Sequence, residues 1–261
     1  MKRSIVFTLL VIGCSFAYSQ INWIKNYDVA RAQALGQNKF IVMDFWAIWC
    51  GPCKKMDIDM WNTEEMAAYA DKFIFLKIDV DSNREIAMNY SANTIPKVVL
   101  MDASGEVIWE EIGFSSASIY RKIFEGFPST PAPSEHISKL VQKSADGNTY
   151  FSLGAWYQEA SKETENVSLK KGILGVSDGY FKRSQKEAET EALAQEAEFN
   201  LILNHAYRGA YKKAMKKVDK MEEAEMKNFI MAYCYKCEGQ TEKMQEFMDK
   251  ITSKELLAQL D

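Results

Sequence analysis

The fold of this chain is decided by residues 39–53, which read Lys39-Phe-Ile-Val-Met-Asp-Phe-Trp-Ala-Ile-Trp-Cys-Gly-Pro-Cys53. The first part is apolar and strand-like, and it leads directly into two cysteines separated by two residues. Two cysteines at this spacing can close a small disulfide ring and reopen it. Pro52 suits the first turn of a helix, where its missing N–H would have had no partner. The stretch therefore predicts a strand, a redox-active pair and a helix in that order.

The predicted helix gives Cys50 its reactivity. Unpaired N–H groups and the positive end of the helix dipole point at the sulfur, and a positive potential favours the thiolate over the thiol. We expect the Cys50 sulfur to lie at the exposed end of the motif and to attack a substrate disulfide. Cys53 then resolves the mixed disulfide, and the product leaves as a dithiol.

These residues resemble the thioredoxin family, whose signature is a strand ending in Asp-Phe-Trp-Ala ahead of Trp-Cys-Gly-Pro-Cys. The resemblance covers roughly residues 22–127 and implies an α/β thioredoxin fold, a central mixed sheet flanked by helices. It also implies a thiol–disulfide oxidoreductase that needs no cofactor beyond the Cys50–Cys53 disulfide and no metal. A thiolate favoured at a helix N-terminus indicates the same exchange chemistry.

Pro96 is a second mark of the same family, in Thr94-Ile95-Pro96 ahead of the apolar run 98–101. Alone, it would suit an ordinary trans proline at the start of a strand. Its position after Cys53 favours the family's arrangement, in which the proline is cis and faces the cysteines across the substrate groove. The resemblance therefore implies a set of substrate-binding residues, namely Trp49, Gly51, Pro52, Ile95 and Pro96.

Asp44 is the one charge in the apolar strand, and a buried carboxylate is costly unless it is paired or has a task. One interpretation is a carboxylate at a strand end held by backbone N–H groups. The resemblance implies the other, in which Asp44 lies beneath the pair and exchanges a proton with Cys53. We favour the catalytic role because of the motif around it.

Two positions depart from the family pattern. Phe75 stands where many thioredoxins have a lysine near the buried aspartate, and Lys77, two residues on, faces the same side of the strand and is placed to substitute for it. Lys97 follows Pro96 where a threonine is frequent. The reaction type is unaffected, but the redox potential and the choice of substrate are left open.

Alternating strands and helices follow the expected order of that fold. Helical spacing from Ile21 predicts a helix that ends near Gly36, and Asn62-Thr-Glu-Glu65 predicts a capped helix to about Ala70. The other predicted helices cover residues 53–60, 83–90 and 116–125. The predicted strands are residues 40–46, 73–79, 98–101 and 106–109, the last two forming a hairpin.

The six residues 128–133, Pro128-Ser-Thr-Pro-Ala-Pro133, predict a stiff linker between a domain of residues 20–127 and an all-α domain of residues 134–261. Helical hairpins are expected there, with earlier helices at 135–145, 149–161, 166–183 and 187–207. The stretch that begins at Gly209 is echoed from Gly239, which resembles tetratricopeptide-type repeats, although the interval is slightly short. A plain helical bundle is the alternative, and both stay open.

The N-terminus predicts a signal peptide over residues 1–19. Lys2-Arg3 provide a basic start, residues 5–12 an apolar stretch too short to span a bilayer comfortably, and Ala17-Tyr18-Ser19 a cleavage pattern. Cleavage is favoured over the alternative, a lipoprotein anchored through Cys14. Both place the protein outside the cytoplasm, and we expect the periplasm.

Cleavage would leave two Cys-x-x-Cys pairs, Cys50/Cys53 and Cys234/Cys237, an even number that suits an oxidising compartment. A four-thiolate zinc site is disfavoured, because the first pair is explained by its motif. For the second pair we favour two small side chains buried between helices, with a redox pair or a disulfide as the alternative. The chain has 261 residues and a net charge of −4, which argues against a nucleic-acid surface.

The sequence thus predicts an exported, two-domain enzyme of cell redox homeostasis. The cysteine pair would reduce disulfides of substrate proteins, because Gly-Pro between the cysteines resembles the reducing members of the family. A membrane electron donor and a protein partner of the helical domain are the further expected partners. The alternatives are a scaffold whose helical domain recruits a partner, and a disulfide oxidase or isomerase.

Overall fold

The structure, a computed structural model, describes residues 21–260. The predicted signal peptide of residues 1–19, with Cys14, lies outside the described residues. Within the described part of the chain, no helix combines the length and apolar character needed to cross a membrane.

A five-stranded mixed sheet forms the centre of the N-terminal half, in the order β1-β3-β2-β4-β5. The first three strands in this order are parallel, and β4 and β5 are antiparallel to their neighbours. β2 is central and nearly all buried, which explains why its sequence is apolar almost throughout instead of alternating. The strands are β1 (Trp23–Ile24), β2 (Phe40–Trp46), β3 (Phe73–Asp79), β4 (Lys97–Met101) and β5 (Val107–Ile112).

Short helices connect these strands and flank the sheet, which confirms the predicted thioredoxin fold. The second helix passes without a break into a π-helical turn over Asp57–Trp61. The helices of this half are α1 (Tyr27–Gln37), α2 (Gly51–Met56), α3 (Glu64–Ala67), α4 (Arg84–Asn89) and α5 (Ala117–Glu125).

The prediction of a helix from Ile21 is wrong at its start, and its predicted end near Gly36 is one residue short of the observed end at Gln37. Residues 23–24 pair with β3 as a strand, because pairing with the sheet outweighs the helical spacing of the local sequence. Asn26 caps α1, its side chain accepting a hydrogen bond from the N–H of Val29, and Asn38 ends the helix with a φ of 50°. Gly36 therefore lies inside the helix.

Pro52 stands at the first turn of α2, so the active-site helix begins two residues before the predicted Cys53.

Beyond the proline-rich segment, the chain is helical, as predicted. The C-terminal helices are α6 (Ser134–Val141), α7 (Gly147–Ala160), α8 (Val167–Lys186), α9 (Glu191–Tyr207), α10 (Tyr211–Val218), α11 (Glu225–Cys237), α12 (Thr241–Met248) and α13 (Lys254–Ala258).

One apolar core continues from the sheet across residues 128–133 into α6–α8. Ala132, within the proline-rich segment, is fully buried, and the ring of Trp156 packs near that of Phe40 with centroids 6.4 Å apart. The members contributed by α6–α8 are Ile137, Leu153, Tyr157, Ala160, Leu169, Ile173, Val176 and Tyr180. The boundary at 128–133 stays a prediction, and the structure adds that buried surface spans it.

α8 lies directly against β5. A Cβ at Gly172 would overlap the carbonyl oxygen of Ile108, so only glycine permits this approach. Two polar contacts join the same regions: the Tyr157 hydroxyl donates to Asp102 Oδ2 at 2.8 Å, and Arg183 pairs with Glu106 at 3.1 Å. The β4–β5 hairpin is thereby held by the helices that follow it.

A second apolar cluster belongs to α9–α13. Phe199, Leu203, Ala214, Phe229 and Ile230 are among its buried members. Gly209 and Gly239 have φ values of 78° and 72°, and each precedes a helix of eight residues. The helical repeat itself stays a prediction.

Candidate active site

Cys50 and Cys53 lie where β2 ends and α2 begins. Cys50 is the N-cap residue of α2, and its sulfur accepts a hydrogen bond from the N–H of Cys53 at 3.1 Å. The two sulfurs are joined in a disulfide, with the Cα atoms 5.3 Å apart. The predicted position at a helix N-terminus is confirmed, and it is the position that stabilises a thiolate once the disulfide is reduced.

The expectation of an exposed Cys50 sulfur is wrong for this disulfide form. Cys50 is 3% exposed, the same as Cys53, because Ala47 and three partly buried side chains pack around the pair. Those three side chains are Trp46, Val80 and Ile95. The exposed residues of the motif are Gly51 and Pro52, in the first turn of α2, and the apolar residues before Cys50.

Ile48 and Trp49 form an apolar rim beside the cysteines, with exposed fractions of 66% and 65%. The Trp49 indole N–H donates to Asp81 Oδ2 at 2.8 Å, which fixes the ring. Asp81 was not predicted from the sequence. Asp81 follows β3 by two residues, and the last residue of β3 pairs in register with the last residue of β2. This position after β3 could have predicted that Asp81 lies close to Trp49.

The Ile95–Pro96 peptide bond is cis, as predicted. Ile95 packs against the cluster that holds the two cysteines, so this loop and the disulfide adjoin. The Pro96 carbonyl accepts a hydrogen bond from the N–H of Gly113 at 2.7 Å, which ties the start of β4 to the end of β5.

Asp44 lies in the middle of β2 and its side chain is 3% exposed. Asp44 Oδ2 is 3.5 Å from Lys77 Nζ, whereas Oδ1 has no hydrogen-bond partner among the described residues. Burial raises the pKa of Asp44 to about 7, against the lowering effect of the Lys77 charge. A carboxylate of this pKa suits proton transfer at neutral pH, and Oδ1 is free to take the proton.

Lys77 faces the same side as Asp44, as the sequence predicted, because β2 and β3 pair these two residues in register. Its ammonium also forms an ion pair with Asp57 and lies 5.1 and 5.2 Å from the ring centroids of Trp23 and Trp46. Phe75 instead packs edge-on against the ring of Trp23. Asp57 was not predicted, although its position four residues after Cys53 on one helix indicates the same face.

Lys97 is buried beside the cis-proline loop. Its ammonium donates to the Tyr90 carbonyl at 2.7 Å and pairs with Glu110 at 3.0 Å. The first contact holds the end of α4 against β4, and the second joins β4 to β5. A cleft of about 500 Å³ adjoins this lysine, and its lining also includes Tyr27, Ile86, Asn89, Ser91, Gly105, Glu106 and Val107.

The second cysteine pair is divided. Cys234 is buried, as expected, and burial raises the pKa of its thiol to about 12. Cys237 is exposed, so the prediction that both are buried is wrong for it, and the two thiols are not joined in a disulfide. Cys237 is the last residue of α11 and lies outside the apolar cluster that holds Cys234. Among residues 21–260, no group of three or more histidine, cysteine and acidic side chains could hold a metal ion.

Comparison with known proteins finds relatives among the thioredoxins. The family model described as thioredoxin-like matches residues 22–103. Thioredoxin-T of Drosophila melanogaster is 30% identical over 142 residues, which cover 54% of this chain and 86% of that protein. Thioredoxin H7 of Arabidopsis thaliana is 36% identical over 105 residues, covering 40% of this chain and 75% of that protein.

Solved structures give similar matches. Thioredoxin NaTrxh from Nicotiana alata is 28% identical, with a TM-score of 0.35, and the match covers 41% of this chain and 92% of that one. The chain belongs to the thioredoxin-like family, and it is a thiol–disulfide oxidoreductase whose redox group, the Cys50–Cys53 disulfide, is part of the protein itself.

Proposed function

We propose that this protein reduces disulfides in substrate proteins outside the cytoplasm. The observation that carries the proposal is the intact Trp-Cys-Gly-Pro-Cys turn at the N-terminus of α2, which holds the Cys50–Cys53 disulfide. Gly51 and Pro52 between the cysteines resemble the reducing members of the family. The predicted signal peptide of residues 1–19 supports the location.

The reaction transfers two electrons and two protons to the substrate. In the reduced enzyme, the Cys50 thiolate attacks one sulfur of the substrate disulfide, and the other substrate sulfur leaves as a thiolate that takes a proton. Cys53 then loses its proton to Asp44 and attacks the Cys50 sulfur. This forms the Cys50–Cys53 disulfide and releases the second substrate thiolate, which also becomes protonated.

The substrate class follows from the surface around the pair. Ile48 and Trp49 expose apolar area directly beside two nearly buried sulfurs. Such a rim favours contact with a polypeptide segment, which can bury the rim while presenting a disulfide to it. Family membership points the same way, toward disulfide-containing proteins as substrates.

Regeneration of the dithiol requires a reductant. Outside the cytoplasm the surroundings are oxidising, so the electrons would have to be delivered through the membrane. A membrane protein that carries a reactive dithiol is therefore the proposed donor. The donor and the substrate would contact the same turn, because both exchanges take place at Cys50.

The reduction potential of the Cys50–Cys53 pair tests the direction. The full chain from Gln20 is equilibrated with glutathione buffers, and the reduced fraction is read from alkylated mass. We expect about −270 mV, a value typical of thioredoxin, whereas about −120 mV would identify an oxidant. The control is the Cys50→Ser/Cys53→Ser variant, which should show no redox transition in the same range.

Trapping in cells tests the substrate class and the scaffold alternative together. Cys53→Ser retains the attacking thiol and should accumulate mixed disulfides with exported proteins. The double serine variant should trap none and should fail to restore function to cells that lack the protein. A double serine variant that restores function would favour a scaffold over an enzyme.

A further inference from the structure

A second carboxylate shares the lysine that faces Asp44. Asp57 stands where α2 passes into the π-helical turn, and its N–H donates to the Cys53 carbonyl. It is therefore one helical turn from Cys53 on the same face. Its carboxylate pairs with Lys77 in closer contact than Asp44, whose Oδ2 is 3.5 Å from the same ammonium.

Lys77 cannot move freely between the two acids. Its side chain is only 13% exposed, and the rings of Trp23 and Trp46 lie at 5.1 and 5.2 Å from the ammonium. The attraction between the ammonium and each carboxylate weakens as their separation increases. Asp57 takes the direct contact, and Asp44 keeps the weaker one.

The other groups that face Asp44 add no charge of their own at neutral pH. From α5, the Tyr120 hydroxyl donates to the Gly113 carbonyl, and burial raises the pKa of Tyr120 well above its usual value. From the π-helical turn, the Trp61 indole is buried nearby. Asp57 and Lys77 are therefore the charges that set how readily Asp44 takes a proton.

We propose that Asp57 is a positioning residue for thiol–disulfide exchange: by holding the Lys77 ammonium, it keeps Asp44 basic enough to accept the Cys53 proton. This inference rests on the exchange activity of the family and is independent of the reductive direction. An Asp44 fully paired with Lys77 would be a weaker base. Burial is the largest cause of the raised pKa of Asp44, and the Lys77 charge opposes it. The negative charge of Asp57 also raises this pKa directly, by a smaller amount.

The first test measures the titration of Asp44 in the full-length oxidised protein. Carboxylate carbon signals are followed by NMR against pH, and Asp44→Asn assigns the signal. In Asp57→Asn the Lys77 ammonium can pair with Asp44 alone, so we expect the Asp44 midpoint to fall by about one pH unit. Asp57→Ser serves as a second neutral variant.

The matched control is Asp59→Asn. Asp59 lies in the same π-helical turn, pairs with the exposed Lys55 and is not in contact with Lys77. The Asp59→Asn substitution removes one negative charge from the same element as Asp57→Asn does. We therefore expect the titration midpoint of Asp44 to stay within about 0.3 pH units of its value in the unaltered protein. Equal shifts in the Asp57 and Asp59 variants would overturn the proposal, as would no shift in either.

The second test follows the exchange itself. The reduced protein reacts with a symmetrical aromatic disulfide in a Cys237→Ser background, because Cys237 is exposed and would also react. The first thiolate released reports the attack by Cys50, and the second reports the attack by Cys53. In Asp57→Asn we expect an unchanged first step and a second step about threefold slower at pH 8 but not at pH 6.

Asp57→Glu separates charge from shape. It keeps the carboxylate, so the Asp44 midpoint and the second step should stay near those of the unaltered protein. A glutamate variant that behaves like Asp57→Asn would overturn the proposal, because side-chain shape would then be the cause. The NMR titration reads Asp44 even if the protein proves to be an oxidant, so failure of the proposed direction leaves this test intact.

Discussion

At the scale of single residues, the site depends on carboxylates in an apolar setting. Asp44 is held in the centre of a buried strand with one lysine for a partner, and its unusual pKa follows from that burial. Groups with such environments are concentrated at functional sites because ordinary packing would exclude them. The same environment has a cost in stability, which depends on pH.

Asp44→Asn should stabilise the protein, and more so at alkaline pH. The folded-state pKa of Asp44 is about 7, above the usual 3.8, so the folded protein holds this proton more tightly than the unfolded chain. The contribution of this group to the free energy of unfolding is greatest below about pH 4, the unfolded-state pKa, and it is lost as the pH rises through the folded-state pKa of about 7. Urea unfolding at pH 5 and pH 8 should show a gain in the variant of up to about 4 kcal/mol at pH 8, and a smaller one at pH 5.

The control for this gain is Asp59→Asn, which removes an exposed carboxylate and should change stability by less than about 0.5 kcal/mol at both values. An equal gain at pH 5 and pH 8 in Asp44→Asn would contradict the assigned pKa.

The cysteines should differ strongly in reactivity once the disulfide is reduced. Cys50 is at a helix N-terminus, whereas burial raises the pKa of Cys234 to about 12, so almost none of it is thiolate at pH 7. After a short iodoacetamide pulse, mass mapping should show Cys50 labelled well ahead of Cys234, with exposed Cys237 between them. Labelling of Cys234 at the rate of Cys50 would refute this order.

At the scale of elements, α8 and β5 form a contact that the local sequence pattern does not predict. The carbonyl of Ile108 faces the backbone of Gly172, and the helix covers a strand at the end of the sheet. A free strand edge can pair with other chains, and a helix laid over it prevents this. The contact also explains the buried apolar face of α8.

Gly172→Ala should destabilise the protein by about 1–3 kcal/mol, because the added methyl group would separate α8 from β5. Gly175→Ala, three residues on in the same helix, meets no atom within 4 Å and is the matched control. It should stabilise by about 0.5–1 kcal/mol through helix propensity. Urea unfolding measures both, and a stabilised Gly172→Ala variant would show that the contact is loose.

At the scale of the whole molecule, buried surface and sequence composition divide the chain at different places. Composition changes at residues 128–133, but the core that contains β2 extends through α8. The second core starts with Phe199 in α9. The two apolar clusters therefore meet at α8 and α9, which buried hydrogen bonds such as Asn204 to Ser177 at 3.0 Å join.

A fragment of residues 20–133 should be less stable than one of residues 20–189. The shorter fragment uncovers β5 and the apolar side chains that meet α6–α8, whereas the longer one keeps that core whole. Thermal unfolding and size-exclusion chromatography of the two fragments compare them. A shorter fragment that is monomeric and unfolds at the same temperature as the longer one would show that α6–α8 do not stabilise the core that contains β2.

The sequence by itself determined the features that depend on neighbours along the chain. The strand of residues 40–46, the helix after Cys50, the cis Pro96 and the helical character after residue 134 all follow from local pattern, turn chemistry and the family motif. Strand β1 did not, because two residues become a strand only when β3 is beside them.

Tertiary structure alone decided what depends on distant neighbours. Lys77 could be placed near Asp44 from the family resemblance together with strand periodicity, but its ion pair with Asp57 requires α2 and β3 to meet. Cys234 and Cys237 share a helix, yet Cys234 is buried and Cys237, the last residue of α11, is exposed. The shared core of β2 and α6–α8 likewise exists only once the chain has folded back, since burial is a property of contacts between remote segments.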